Sequence, residues 1–321
     1  MTAPVVLISF NRPAATRRTL QSIREAAPAE LLLIADGPRP SNPDDLAKCE
    51  AVRRELEAID WPCQVHRRYA DENLGLVTNI EGGLDWAFDQ VPEAIILEDD
   101  CLPNADFFRF CTELLAYYRD TENVWQITGR APTVPGGWFG GADYAFTVLG
   151  SIWGWATWHR AWVTHRGRSS ADAPVPTVSD SELSNSLLMT RAGRRYFADI
   201  ARDPGRKEFG WAGHWSLSMV AERGLAVIPK ANMIEAIGFG PDATNTTEAI
   251  RQRPLEQIDW PLSHPAEVEV HAKLERIGER LAAAWHGRAA RFLSRRLGQG
   301  RLRRAVRAVA SLWRQRQMRV P

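Results

Sequence analysis

The sequence predicts an α/β fold: a mostly parallel sheet with helices on both faces, followed by a basic helical extension. Three observations carry this expectation. Short apolar runs alternate with amphipathic stretches through residues 5–97, polar residues follow directly on three of those runs, and basic residues concentrate toward the C-terminus.

Taken in order, Val5 to Ile8 is a continuous apolar run, as expected of a strand buried on both faces. Leu20, Ile23 and Ala27 mark a helix face, and Leu31 to Ala35 is a second buried strand. Leu46, Cys49, Val52, Leu56 and Ile59 recur at helical spacing, and Gln64 to Arg68 is a weaker strand. Leu76, Ile80, Leu84 and Phe88 form an i, i+4 stripe before the apolar run Ala94 to Leu97. Strands separated by helices in this way wind into a doubly wound, mostly parallel sheet.

Beyond residue 100, Phe107, Phe108, Cys111, Leu114, Leu115 and Tyr118 share one helix face. Val124 to Thr128 and Tyr144 to Leu149 read as strands around the loop Pro132 to Gly137. Ser181 to Ala201 and Trp211 to Arg223 read as helices, and Leu225 to Ile228 and Ile234 to Ile237 as short strands. The expected organisation is a body over 1–262, in halves 1–100 and 101–262, and a basic amphipathic helical tail over 263–321. In the tail, Leu302, Val306, Val309 and Trp313 face one way with arginines opposite, and Gly298 and Gly300 divide two helices.

Composition sets limits on this picture. Hydrophobic residues are 45% and charged residues 25%, ordinary for a globular chain. No stretch is long and apolar enough to span a bilayer, and Met1 to Phe10 lacks signal-peptide character, so the expected compartment is the cytoplasm. Cys49, Cys63, Cys101 and Cys111 lack zinc-knuckle spacing and are expected to be reduced. The sequon Asn245-Thr246-Thr247 carries little weight without a secretory signal. From Lys273 onward there are 14 Lys/Arg against Glu275 and Glu279, a net +12 that leaves −11 on the rest of a chain whose total is +1. An acidic body with a basic tail argues against nucleic acid as the partner of the body. It suits an interfacial helix on anionic lipid at the inner membrane face, or a dimerisation helix that makes a homodimer.

In open α/β sheets, ligands bind at the carboxyl ends of strands. The polar residues there are Asn11-Arg12, Asp36-Gly37 and Glu98-Asp99-Asp100. Three adjacent carboxylates repel one another and favour a nearby cation, Mn2+ or Mg2+ shared with substrate phosphates; they also suit a solvated acidic turn. Asp36 can accept from a nucleobase or ribose, or simply serve the turn. Arg12 can stack on a base, meet a phosphate, or lie exposed. The tryptophans Trp138, Trp153, Trp155, Trp158 and Trp162 offer indole faces for a sugar, although Trp158 and Trp162, expected on a helix, suit a core. Gly238 to Thr247 is a flexible, hydroxyl-rich stretch that suits either a lid over a diphosphate or a surface loop.

Together these pieces resemble the GT-A glycosyltransferases, a Rossmann-like class, and most closely the group similar to N-acetylglucosaminyltransferase I and its bacterial relatives. Ser9-Phe10-Asn11-Arg12-Pro13 is similar to the group's first-strand motif, and Asp36 stands where the group reads uracil. Leu97 to Asp100, with Pro103 and Asp106-Phe107-Phe108, is similar to its variant of the DxD motif. Gly150 to Trp158 resembles its donor-sugar segment, and Trp211 to Trp215, Gly224-Leu225, Ile228-Pro229 and Gly238-Phe239-Gly240 follow the order of its catalytic segment and closing loop.

The resemblance implies a nucleotide-sugar donor, a UDP-sugar in the group, and a glycan or lipid-linked acceptor. It implies a metal held by Asp100, with Asn11, Arg12, Asp36, Glu98, Asp99, Trp153, Gly154, Trp155 and Thr244 around the donor, and inversion at the anomeric carbon by a carboxylate base. One departure stands out. Relatives carry an acid between the paired tryptophans, where this chain has Ala212-Gly213-His214, so the base falls to Glu208, His214 or Asp242. The other readings are a nucleotide-sugar-binding protein without turnover, and a membrane-surface protein acting through its tail.

Overall fold

A computed structural model describes residues 1–169, 175–202, 210–238 and 253–286. The apolar runs become strands β1 (Val5–Ser9), β2 (Glu30–Ala35), β3 (Gln64–Tyr69) and β4 (Glu93–Glu98). They are joined by helices α1 (Pro13–Ala26), α2 (Asp44–Leu56) and α3 (Leu76–Phe88). Pro13 opens α1, where a missing N–H costs nothing. All four strands are parallel, in the order β3-β2-β1-β4, with Val5 beside both Leu31 and Ile95. Winding therefore proceeds outward from β1 on one side and restarts on its other side with β4. The gap between the ends of β1 and β4 is the topological switch point, where such sheets open a crevice.

Short strand β5 (Cys101–Pro103) leads into α4 (Ala105–Tyr117), whose first turn is capped by Asn104 accepting from the Phe107 N–H at 3.1 Å. Then follow β6 (Val124–Thr128), β7 (Tyr144–Thr147), β8 (Trp155–Trp158), α5 (His159–Gly167), α6 (Asp180–Asn185), α7 (Arg191–Arg202), α8 (Gly210–Ala221), β9 (Leu225–Pro229), β10 (Ile234–Ala236) and α9 (Ala272–His286). The full sheet has eight strands, β3-β2-β1-β4-β8-β6-β9-β7, with β8 and β7 antiparallel to their neighbours. β10 pairs with β5 in a two-stranded sheet. Two apolar layers flank the main sheet. One gathers Leu7, Leu33, Leu97, Phe107 and Phe110 with α1, α2 and α4; the other gathers Ile8, Ile34, Ile80, Trp155, Trp162 and Trp215 with α3, α5 and α8.

The fold expectation of a mostly parallel sheet with helices on both faces is met, with four local corrections. The stretch 181–201 divides into α6 and α7 rather than forming one helix, because Ser186 to Thr190 leave helical geometry. Trp158 ends a strand instead of sitting on a helix, its indole donating to the Leu115 carbonyl at 3.1 Å. Leu46 is exposed while its neighbour Asp45 is buried, so the inward face of α2 is rotated by one residue there.

The fourth correction concerns the chain after 262. Its basic character predicts a separate tail, yet residues 263–286 are built into the body. The Ser263 N–H donates to Asp143 at 2.8 Å, His264 stacks on Tyr117 at 4.2 Å, and Val270 bridges to Phe146 on β7. α9 lies against α7 and β7 and buries Glu275 and Glu279 completely. The tail positions 287–321 lie outside the described residues.

Candidate active site at the strand ends

The crevice between β1 and β4 is where the polar strand ends meet. β1 delivers Phe10, Asn11 and Arg12, and β4 delivers Glu98, Asp99 and Asp100. Arg12 spans the gap: one guanidinium nitrogen reaches Asp99 in a short contact, and another reaches Asp100 Oδ2 at 3.1 Å. The Phe10 N–H lies 3.5 Å from Asp99 Oδ2, and Thr19 donates to the Asp99 carbonyl at 3.0 Å. Asp99 is thereby enclosed, with 2% of its side chain exposed, whereas Asp100 keeps 18%.

The electrostatics follow from this crowding. Burial raises the Glu98 carboxyl well above the usual range, and the charges of Asp100 and Asp99 push the same way. Burial also lifts Asp99 to about 6, against the pull of Arg12. Burial lowers the affinity of Arg12 for its proton, but Asp99 and Asp100 outweigh that and hold the guanidinium charged. Asp99 and Asp100 share one cation, Arg12, so the site has room for further positive charge.

Asp100 is further defined by what packs on it. The Ile237 N–H donates to its carbonyl at 2.8 Å, and Cys101 Sγ lies 3.5 Å from Oδ1. A Cβ on Gly238 would come within 2.2 Å of Oδ2, so the chain leaving β10 passes directly over this carboxylate. Among the described residues no three ligating side chains form a ready-made cage. The donor set is instead one accessible carboxylate in an acid-rich crevice. That fits Mn2+ or Mg2+, which commonly take one or two carboxylates and complete their shell with water and substrate phosphates.

The other expected residues fall out as follows. Asp36, at the end of β2, is on the same edge but 4% exposed. Its Oδ1 accepts from the N–H groups of Gly37 (2.9 Å) and Leu74 (2.8 Å), and its Oδ2 from Asn73 Nδ2 at 3.0 Å. Burial raises its pKa against those bonds. Asp36 therefore ties the β2 end to the segment before α3, which leaves it at most one free lone-pair direction. Asn11 donates to Asp45 Oδ1 at 2.8 Å, and Asp45 is also gripped by Arg39, whose guanidinium lies over Phe10. Asp45 and Asn73 hold the site together and were missed in the sequence. Asp45 stands four residues before Cys49 and seven before Val52, and that helical spacing is the signal that could have found it.

Trp153 and Gly154 are at the edge, where β8 begins. Gly154 has φ +66°, and a Cβ there would strike Ile234 at 2.4 Å. Trp155 is a correction: it is 1% exposed and packs among Trp211 and Trp215, so its indole offers no face to a ligand. His214 is a second correction. It lies on α8, 5% exposed, with Nδ1 bonded to Glu81 Oε1 at 2.9 Å, and Glu81 also binds Arg166 at 2.6 Å. A histidine held this way has one ring nitrogen committed to Glu81 and little surface left for an acceptor hydroxyl. Glu208, Asp242 and Thr244 lie outside the described residues.

No family model and no curated protein matches the sequence. Among solved structures, S. aureus TarS 1-349 is similar at 11% identity and TM-score 0.41, over 74% of this chain and 61% of that one. The chain thus spans less than two thirds of that protein. The mannosyltransferase PcManGT from Pyrobaculum calidifontis, in complex with GDP-Man and Mn2+, is similar at 15% identity and TM-score 0.37, over 69% of this chain and 74% of that one. Neither likeness bears on what this chain does.

Proposed function

We propose that the protein is a divalent-metal-dependent glycosyltransferase of the GT-A type, moving a sugar from a nucleoside-diphosphate donor to a hydroxyl of a glycan or lipid-linked acceptor. The observation that carries this reading is the acidic triplet at the β1/β4 switch point, with Asp99 closed off by Arg12 and Asp100 left accessible beneath Gly238. An acid-rich crevice at that position suits a cation shared with a diphosphate better than a solvated turn. A solvated turn would not enclose Asp99 at 2% exposure.

In this reading Asp100 is the metal ligand, and a bound Mn2+ or Mg2+ offsets the charge that builds on the departing diphosphate. Arg12 holds Asp99 and offsets its repulsion with Asp100 at the floor of the site. Asp36 and Asn11 frame the nucleoside end, for which UDP is the first candidate, and Trp153 frames the sugar end. The acceptor oxygen bonds to the anomeric carbon as the carbon–oxygen bond to phosphate breaks, the electron pair leaving with the diphosphate, so configuration inverts. We assign the acceptor proton to Glu208, two residues before α8 in sequence, with Asp242 as the alternative and Thr244 assigned to the donor.

The second reading, donor binding without turnover, draws on the absence of a carboxylate between Trp211 and Trp215 and on the burial of His214. Donor hydrolysis and transfer assayed with Mn2+ separate the two. Turnover by the wild type that is lost in Asp100→Ala, with Glu208→Gln lowering kcat but not donor affinity, supports the transferase. Metal-dependent turnover undiminished in Asp100→Ala would remove the assigned ligand. Donor binding with no turnover on an acceptor panel would favour the second reading.

A further inference from the structure

Arg130 is the group at the strand ends that the proposed chemistry leaves unused. It stands two residues beyond β6, on the same edge as the acidic triplet. Its backbone is fixed on both sides: the Gly129 N–H donates to the Gly154 carbonyl at 2.9 Å, the Met233 N–H donates to the Gly129 carbonyl at 2.9 Å, and the Ala131 N–H donates to Asn232 Oδ1 at 3.1 Å. Its guanidinium lies 4.3 Å over the Trp153 ring. Among the described residues that guanidinium has no hydrogen bond and no carboxylate partner, and burial depresses its pKa.

A partly desolvated cation without a counter-charge is costly, and natural sites keep one chiefly where a ligand supplies the anion. The contrast with Arg12, paired to two carboxylates, is direct. Stacking on Trp153 holds the guanidinium plane and leaves its N–H fork unbonded among the described residues, an arrangement suited to a carboxylate or a phosphate.

The position along the sheet says which anion. Arg12 and Asp36 lie just beyond β1 and β2, to one side of the triplet at the end of β4; Arg130 follows β6, two strands away on the other side. At the usual strand spacing the two strand ends are about 10 Å apart, and the guanidinium reaches back far enough to feel Cys101, the neighbour of Asp100, so it faces the space beside a diphosphate seated at Asp100, where the transferred sugar would lie. We infer that Arg130, presented on Trp153, binds an oxyanion carried by the transferred sugar or by the acceptor, a uronate carboxylate or a sugar phosphate, and not the donor's own diphosphate. The inference rests on the donor lying as proposed above.

Calorimetry on the full chain with Mn2+ tests it, comparing wild type, Arg130→Gln and Arg130→Lys. The probes are UDP and GDP alone, the pairs UDP-glucose with UDP-glucuronate and GDP-mannose with GDP-mannuronate, and glucuronate or glucose 6-phosphate added over bound diphosphate. The wild type should favour an acidic probe by about tenfold or more, the scale of a charge-assisted bidentate contact. Arg130→Gln should abolish that preference with the affinity for bare diphosphate unchanged, and Arg130→Lys should keep part of it. A preference confined to the nucleotide-sugar pairs places the acid on the donor; one confined to the added acids places it on the acceptor. If Arg130→Gln weakens bare diphosphate equally, or if the wild type prefers no acidic probe, the assignment is wrong while the donor site stands. If the wild type binds neither diphosphate, the transferase reading falls and this inference falls with it.

Discussion

Replacing Glu275 by glutamine should stabilise the protein at alkaline pH and leave it unchanged in acid. Glu275 is fully buried on α9; Oε2 accepts the Val148 N–H at 2.7 Å, and Oε1 is buried with no donor among the described residues, beside the Glu279 carboxyl. Burial raises its pKa, and the nearby Glu279 pushes the same way. A carboxyl that holds its proton more tightly folded than unfolded gives the folded state the greater proton uptake. Its contribution is therefore intact below the usual glutamate range and is lost as pH rises toward the raised value. Glutamine keeps an oxygen for Val148 and sets an amide N–H toward Glu279, so it mimics the protonated acid at every pH. Relief of one buried unpartnered charge is about 2 kcal/mol, which at about 1.5 °C per kcal/mol for a chain of this size is about 3 °C in Tm. Thermal melts of wild type and Glu275→Gln from pH 5 to 9 should coincide at the acid end and diverge above it. Glu279→Gln is the contrasting variant. Glu279 accepts from both the Met189 and Thr190 N–H groups, so an amide N–H there faces a donor and should destabilise at all pH values. A Tm gain for Glu275→Gln that is equal at pH 5 and pH 9, or a loss at pH 9, would refute the argument.

Three further outcomes follow from the same geometry. Arg12→Met should cost about 3–5 kcal/mol in chemical denaturation, because it strands a buried Asp99 charge; a loss under about 1 kcal/mol would mean that Asp99 is neutral without Arg12. Gly238→Ala should weaken Mn2+-dependent nucleotide binding by about tenfold and lower Tm, since its Cβ would strike both the carboxylate and the Cβ of Asp100; unaltered binding would show that Asp100 is not the ligand. Liposome flotation should show anionic vesicles retaining the full chain and releasing one that ends at His286. The cut belongs there because α9 is part of the body, and undiminished flotation would place the membrane contact elsewhere.

What the sequence discloses of the fold and what it hides divide along physical lines. Val5 to Ile8, Leu31 to Ala35 and Ala94 to Leu97 are legible because a strand buried on both faces must be apolar throughout, and no other short element writes that pattern so plainly. The order in which they pair is not written locally, and neither are the antiparallel insertion of β8 or the β5–β10 ribbon, since these depend on contacts far apart in sequence. Trp158 misled because tryptophan spacing alone does not separate strand from helix. α9 misled for a different reason. Net charge describes the surface of a stretch, and Glu275 and Glu279, its two acids, are the residues that turn inward to cap backbone N–H groups of β7's exit and the start of α7.

The same distinction applies to the site. Asn11, Arg12, Asp36 and the triplet could be placed on one edge from topology, because strand ends fall where strands end. Their individual work could not, since three of them spend most of their bonding capacity on one another or on neighbours: Asp36 on Asn73 and Leu74, Asn11 on Asp45, Asp99 on Arg12. A carboxylate so committed has little left for a ligand, and its value is to hold the edge rigid. Asp100 differs in kind. It shares Arg12 with Asp99, yet keeps accessible surface and lies under the glycine that leads into the 239–252 stretch. In a run of three acids, composition treats all three alike, whereas the fold encloses one against Arg12, half-buries one with a raised pKa, and leaves one accessible, the one proposed as the ligand. That division of labour is why mutating Asp99 should act on stability and mutating Asp100 on metal and donor.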